Sequence, residues 1–303
     1  MAVTYQSKST CIILIALVVS VWTPVRVIAS SVITQEISKQ QQASAQITKG
    51  NEFARAGRWQ EATQAYQRAI ELDGKVAIAY GNLGHAYSQL KRFEQAVVPL
   101  QRAIALLPDS ATFKYNLGNV YLQLNRYRES IELFQQAIAL KPDYFEAYND
   151  LGNAYAELNL FSQSIEVLKR AVALEPSSAL AHYNLAVTYQ DCHEFQQAEK
   201  ALRKATDLDP YYADAYLLLA LVNLKSRQFK RAVTALDRLV TLRPKDAEAH
   251  YYLGIAHLVL KQKSMFWEQH AVLKKLDPNL AAQLYNNFVD ARVLTLATSN
   301  NKP

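Results

Sequence analysis

Proline returns every 34 residues through most of this chain, at Pro108, Pro142, Pro176, Pro210, Pro244 and Pro278, with Gly74 one period earlier. A second series keeps the same step without a slip: Gly50, Gly84, Gly118, Gly152, Ala186, Ala220 and Gly254. Two residue types with unrelated structural uses, locked to one period across residues 43–280, restrict the chain to an array of like units. The units are 43–76, 77–110, 111–144, 145–178, 179–212, 213–246 and 247–280.

Within a unit, positions 4, 7, 8 and 11 are aromatic, Leu, small and aromatic, a stripe with helical spacing. The small residue at position 8 lets a second helix approach closely. Ala69, Ala103, Ala137, Ala171 and Ala205 play the matching part on that second helix. Proline near the end of each unit stops it, because proline cannot continue the hydrogen-bond ladder. A single helix pair cannot bury its own apolar stripe, so the units must stack. The chain is therefore expected to be all-α.

On these residues the sequence resembles the tetratricopeptide repeat family; the fourth unit shows it well in Tyr148, Leu151, Gly152, Tyr155, Leu168, Ala171 and Pro176. The resemblance covers almost all of the chain after its first 42 residues and implies a right-handed superhelical solenoid of seven helix-turn-helix repeats. The ends depart from the pattern. Lys49 replaces the usual Leu in the first repeat, as suits an outer face, and Phe266, His270 and Leu273 in the seventh stand where small, aromatic and small residues belong. That repeat is expected to pack against something different. Leu284, Phe288 and Val289 mark residues 281–297 as a C-terminal capping helix, with 298–303 a flexible tail. Pro99, inside a second helix, is expected to kink it.

Before the repeats, Lys8 precedes the apolar run CIILIALVVSVW and the small-residue end VIASS, the pattern of a secretory signal. Residues 1–29 are read as a signal peptide cut after Ala29, with an uncleaved membrane anchor as the alternative, and the rest of the chain is expected outside the cytoplasm, periplasmic or secreted. Residues 30–42, SSVITQEISKQQQ, read as a Gln-rich linker. The formal charge of +6 includes Lys8 and Arg26, so the remainder is only mildly basic and nucleic acid is not an expected partner. The two cysteines, Cys11 and Cys192, supply no disulfide framework once the signal is removed.

No phosphate-binding glycine loop, nucleophile elbow or metalloprotease helix occurs, and nearly every Gly and Pro is used by the repeat. The chain is expected not to be an enzyme and to need no cofactor or metal. The run DCHEF at 191–195 invites a metal or thiol site, but Cys192 falls at position 14, where other units carry Leu90, Leu124, Leu158 and Leu260, and reads as a small buried hydrophobe. His182 and His250 occupy the aromatic position 4, where packing explains them. The basic run KSRQFKR at 225–231 reads as a solvated face.

If positions 4, 7, 8 and 11 pack inward, the opposite arc of the first helices faces the hollow of such a solenoid. Asn82, Asn116 and Asn184 stand there at position 6, and Asn51, Asn119 and Asn153 at position 9, with His85 beside them. An amide donates and accepts, so a spaced row of amides suits an extended peptide backbone. Central repeats add Glu146, Asp150, Glu157, Asp191 and Asp214, with Tyr115 and Tyr183 between them and few bases opposing. Such a groove favours cationic or amide-rich segments of other proteins. Some members of the family hold a chaperone's C-terminal carboxylate with a Lys/Asn/Lys/Arg clamp; its basic positions are not filled here in consecutive repeats. In the last two repeats the arc turns apolar, with Leu217, Leu218, Leu221, Tyr251, Tyr252 and Ile255, and either the C-terminal helix or another protein should cover it. The expected role is a non-catalytic scaffold or assembly factor, with assembly of envelope or photosynthetic membrane complexes, metal delivery through the acidic groove, and a non-catalytic subunit of an enzyme complex as alternatives.

Overall fold

The computed structural model describes residues 35–299, with side chains described through residue 290; the expected signal, residues 1–29, lies outside the described residues. The chain there is a succession of helices with no strand among the described residues. Helix α1 spans 35–55, followed by α2 (Trp59–Leu72), α3 (Ala77–Gln89), α4 (Phe93–Leu106), α5 (Ala111–Gln123), α6 (Tyr127–Leu140), α7 (Phe145–Glu157) and α8 (Phe161–Leu174). Then come α9 (Ala179–Asp191), α10 (Phe195–Leu208), α11 (Ala213–Lys225), α12 (Phe229–Leu242), α13 (Ala247–Val259), α14 (Lys263–Leu276) and α15 (Pro278–Ser299). Each repeat supplies a first and a second helix. The chain divides into two compact bodies, one ending at Arg126 and one beginning at Tyr127. Within each body a first helix packs on the second helix of its own repeat, and that second helix packs on the next first helix.

Two boundaries differ from the sequence reading. Residues 35–42, expected as part of the linker, are helical and continuous with α1, because SKQQQASAQ contains no helix breaker and Ala43 is buried at 1 % exposure. The capping helix is longer than 281–297, starting at Pro278, whose fixed φ suits a first helical turn. Helix α4 runs unbroken through Pro99 as one 14-residue element.

Short turns within the repeats have one recurring geometry. Gly57, Lys91, Asn125, Asn159, His193, Arg227 and Lys261, each 34 residues after the last, all hold φ between 57° and 71°. The following residue's N–H bonds back to the carbonyl five earlier, as in Arg92 to Tyr87 (2.9 Å), Leu160 to Tyr155 (2.9 Å) and Gln228 to Asn223 (2.8 Å). This is a left-handed helix C-cap, which satisfies carbonyls the helix itself leaves open. Gly and Asn enter that conformation readily, whereas Lys, His and Arg hold it at a cost of about 1–2 kcal/mol. Arg227→Gly should therefore raise stability by about 0.5–1 kcal/mol, since glycine's greater freedom in the unfolded chain offsets part of the relief. A higher urea midpoint at unchanged slope is the expected reading; an unchanged midpoint would show that the turn carries no strain.

Several first helices start on a side-chain cap. Ser110 accepts from the Phe113 N–H, Ser178 from Ala181 (both 3.3 Å) and Asp246 from Ala249 (3.0 Å). His182 and His250 reach back through Nε2 to the carbonyls of Pro176 and Pro244, at 3.2 and 3.1 Å, and so tie a first helix to the end of the preceding repeat.

Close approach of the paired helices explains the glycine series. A Cβ at Gly152 would lie 2.4 Å from Leu168 Cγ, and one at Gly84 equally near Leu100 Cγ. The large residue opposite the small one is position 24, filled within the two bodies by Tyr66, Leu100, Leu168, Leu202 and Leu236, each no more than 2 % exposed. In the seventh repeat this pairing fails. Position 24 is His270, which is half-buried, and Gly254 instead faces Leu284 of α15, whose Cδ2 lies 2.6 Å from the place a Cβ would take. Leu284 is fully buried with Phe266, Leu273 and Ala281, and Tyr251, Ile255 and Leu258 of α13 lean on the same cluster. The oversized Phe266 and Leu273 are thus the residues that meet the capping helix.

A polar clasp also joins successive repeats. Gln67 donates to the Tyr87 hydroxyl (2.9 Å), Gln101 to Tyr121 (3.1 Å) and Gln135 to Tyr155 (2.8 Å), in each case from position 25 to position 11 of the next repeat. At 169 and 203 the Gln gives way to Lys and Arg, and at 223 the Tyr gives way to a buried Asn, whose Oδ1 has no partner among the described residues.

Candidate functional site

Asparagines of neighbouring first helices are bonded to each other at two places. In the N-terminal body the Asn82 amide donates to Asn51 Oδ1 (3.0 Å), which also accepts from the Tyr66 hydroxyl (2.8 Å). In the C-terminal body Asn184 donates to Asn149 Oδ1 (2.9 Å), and Asn149 is only 4 % exposed. One N–H of Asn82 and one of Asn184 are therefore spent on the preceding repeat. Each bond orients the side chain and leaves its own carbonyl and second N–H.

Around the first pair a cleft of about 330 Å³ is lined by Asn51, Arg55, Trp59, Tyr66, Asn82 and His85. The Trp59 indole meets the His85 ring edge-on, with centroids 5.8 Å apart. Tyr115, Asn116 and Asn119 are half-buried along α5. Trp59 and Asn149 were not among the expected site residues. Asn149 sits one position before the expected Asp150, and Trp59 opens a second helix rather than belonging to a first.

In the C-terminal body Glu146, Glu157, Asp191 and Asp214 are exposed, while Asp150, Asn153, Tyr183 and Asn184 are half-buried. The Tyr183 and Tyr212 rings lie 5.0 Å apart. Burial, then the adjoining Tyr183 phenol and Asp214 carboxylate, push Tyr212 up to about 12, so both rings act as apolar surfaces with a hydrogen-bonding tip. Partial desolvation raises the Asp191 carboxyl from its ordinary value although the residue is exposed, with Lys225 pulling the other way and Glu157 adding to the rise.

One expectation changes: Asp214 pairs with Arg243 at 2.9 Å, so the acidic lining is opposed there by a base that caps the second helix of the same repeat. The apolar arc of the last two repeats is covered in part by the C-terminal helix, one of the two covers expected. Leu218 is buried at 9 % exposure in the core with Leu219 and Leu236, and Leu217 and Tyr252 are half-buried against that core. Leu221 is half-buried. Tyr251 and Ile255 are packed against the α15 cluster, with Asn287 donating to the Tyr251 hydroxyl at 3.1 Å. Large aliphatic side chains at these positions fill the space between neighbouring first helices, where smaller polar ones would leave a gap.

The DCHEF run forms the left-handed turn after α9, with His193 at φ 63°. Cys192 is half-buried against the core, its thiol donates to the Tyr189 carbonyl at 3.4 Å, and burial holds its pKa up, which disfavours the thiolate. No cluster of three or more His, Cys, Asp or Glu side chains placed to hold a metal ion occurs among the described residues, and no helix among them is long and apolar enough to cross a membrane.

A family model described as TPR repeat matches residues 50–91, 84–125, 118–159 and 152–191, and a second, described as tetratricopeptide repeat, matches 191–258. No curated protein matches the chain. Among solved structures, PilW, titled a widely conserved type IV pilus biogenesis factor, is 25 % identical, with 67 % of this chain and 94 % of that chain covered at a TM-score of 0.62. Pseudomonas aeruginosa pilF is 22 % identical, covering 70 % and 96 %, at a TM-score of 0.59. YrrB, titled a TPR protein with an unusual peptide-binding site, is 24 % identical, covering 62 % and 96 %, at 0.52. The last two share the fold.

Proposed function

The chain belongs to the tetratricopeptide repeat family, a class of protein-interaction scaffolds, and on that premise we propose that its first-helix face captures extended segments of other proteins. The observation that carries this reading is the pair of cross-repeat amide bonds, Asn82 to Asn51 and Asn184 to Asn149. They hold acceptors and donors at set places before any ligand arrives, which lowers the ordering cost of binding. Within each body a peptide backbone laid along the first helices meets that body's amide pair, and in the C-terminal body exposed Glu146, Glu157 and Asp191 attract its cationic side chains. The protein is a non-catalytic adaptor, exported or anchored by its N-terminal segment, with the repeats outside the cytoplasm. An assembly role within that reading is favoured by the likeness to PilW, titled a biogenesis factor.

The test is a peptide array read by fluorescence anisotropy. Asn82→Ala combined with Asn184→Ala should weaken cationic and neutral peptides alike by about tenfold, the loss of one to two hydrogen bonds. Glu146→Lys with Asp191→Lys should abolish only the preference for cationic peptides. Because the Asp191 carboxyl is raised from its ordinary value, its share of that preference should begin to fall at a higher pH than that of an unshifted carboxylate, as the group gains its proton and loses its charge. Equal binding by wild type and both variants, with melting temperatures unchanged, overturns the reading.

A further inference from the structure

A second cleft lies away from the amide row, on the face built by second helices α8 and α10 with α9 between them. A cleft of about 670 Å³ opens there, a volume in the range of ligand sites. Its floor is apolar, formed by Val172, Leu185 and Ala201, and its rim carries Lys169, Lys200 and Lys204. Those lysines are exposed and none of them makes an ion pair among the described residues. Of the two carboxylates at the edge, Glu199 is already neutralised twice, by Arg203 at 2.7 Å and by Arg231 at 3.0 Å. The uncompensated charge of the cleft is positive.

The repeats themselves provide the internal control. Tyr87, Tyr121 and Tyr155 each have the hydroxyl capped by a glutamine from the preceding repeat. Tyr189 is the next residue of that series, and the glutamine is replaced by Lys169, whose ammonium stands 6.0 Å from the ring centre. Tyr189 is 7 % exposed, lines the cleft, and its hydroxyl has no hydrogen-bond partner among the described residues. The hydroxyl that its equivalents in earlier repeats spend on a glutamine is left open to a ligand's acceptor. An adjoining cleft one repeat earlier, reaching from Tyr148 to Arg170, shares Lys169 and adds one base, Arg170, and one acid, Glu166.

We infer that this cleft binds an acidic peptide segment of a partner protein, an apolar residue seated on the Val172–Leu185–Ala201 floor with Asp or Glu side chains on Lys169, Lys200 and Lys204 and the Tyr189 hydroxyl. The site is opposite in charge preference to the amide face and does not depend on it, so one chain joins a cationic segment to an acidic one.

The probe is a fluorescein-labelled peptide, EDEFLEDD, compared with QNQFLQNN and titrated into the full chain. The acidic peptide should bind at least tenfold more tightly, and raising salt should erase the difference. Lys169→Glu with Lys200→Glu should remove that advantage, and Tyr189→Phe should weaken the acidic peptide about threefold with no fall in melting temperature. Glu146→Lys, on the amide face, should leave it unchanged, which separates this result from failure of the first reading. Equal affinity for the two peptides, or an acidic-peptide affinity that survives Lys169→Glu with Lys200→Glu, overturns the inference. Displacement of the peptide by inorganic phosphate or by phosphatidylglycerol vesicles at comparable affinity also overturns it, since the cleft would then be a general anion site.

Discussion

Leu284→Ala should loosen the C-terminal end of the chain while leaving the N-terminal body as stable as before. Leu284 is fully buried and takes the place opposite Gly254 that position 24 fills in the other repeats. Removing its branched end leaves a cavity bounded by a glycine and by the fully buried Phe266 and Leu273. The expected cost is about 3 kcal/mol, mid-range for such truncations. Repeat arrays are held by nearest-neighbour interfaces, so the loss should appear first as faster amide exchange in α13–α15 and only later as global unfolding. Deleting 278–303 goes further. It uncovers Tyr251, Ile255, Leu258, Phe266 and Leu273 together, and should raise binding of a hydrophobic dye and drive self-association. If the truncated chain stayed monodisperse and dye-negative, α15 would not be the cover these residues require.

The period made the helix pairs readable because its determinants are steric and local: a small residue wherever two helices touch, a proline wherever one ends. What it concealed follows from the same logic. The left-handed turn at every repeat is announced by Gly57, Asn125 and Asn159, but Lys91, His193, Arg227 and Lys261 are ordinary helix-surface residues that the surrounding structure forces into it. The Gln–Tyr clasps link residues twenty apart, a spacing that no multiple of 34 reveals. At the amide face the asparagines were legible as a row, since their positions repeat. Their bonding was not, because whether an amide faces solvent or a neighbour depends on how far successive first helices are spaced. Leu218 shows the same limit: its register matches that of Asn184, yet in an aliphatic neighbourhood it joins the core.

Gly152 and Leu168 supply the sharpest test of why the array has the period it has. Gly152→Val should cost about 2–3 kcal/mol or more, because the added Cβ would fall 2.4 Å from Leu168 Cγ and the side chain opposite has no free volume to enter. Leu168→Ala alone should cost about 2–5 kcal/mol through the cavity it leaves. The two volumes are complementary, so the double variant should be less damaged than the sum by about 1–2 kcal/mol, the size of coupling typical of touching residues. Urea unfolding followed by far-ultraviolet circular dichroism gives all three terms. Additive losses would mean that the glycine is required by the backbone rather than by the leucine opposite. That outcome would remove the steric explanation of the whole Gly/Ala series, since Gly84 stands to Leu100 as Gly152 stands to Leu168.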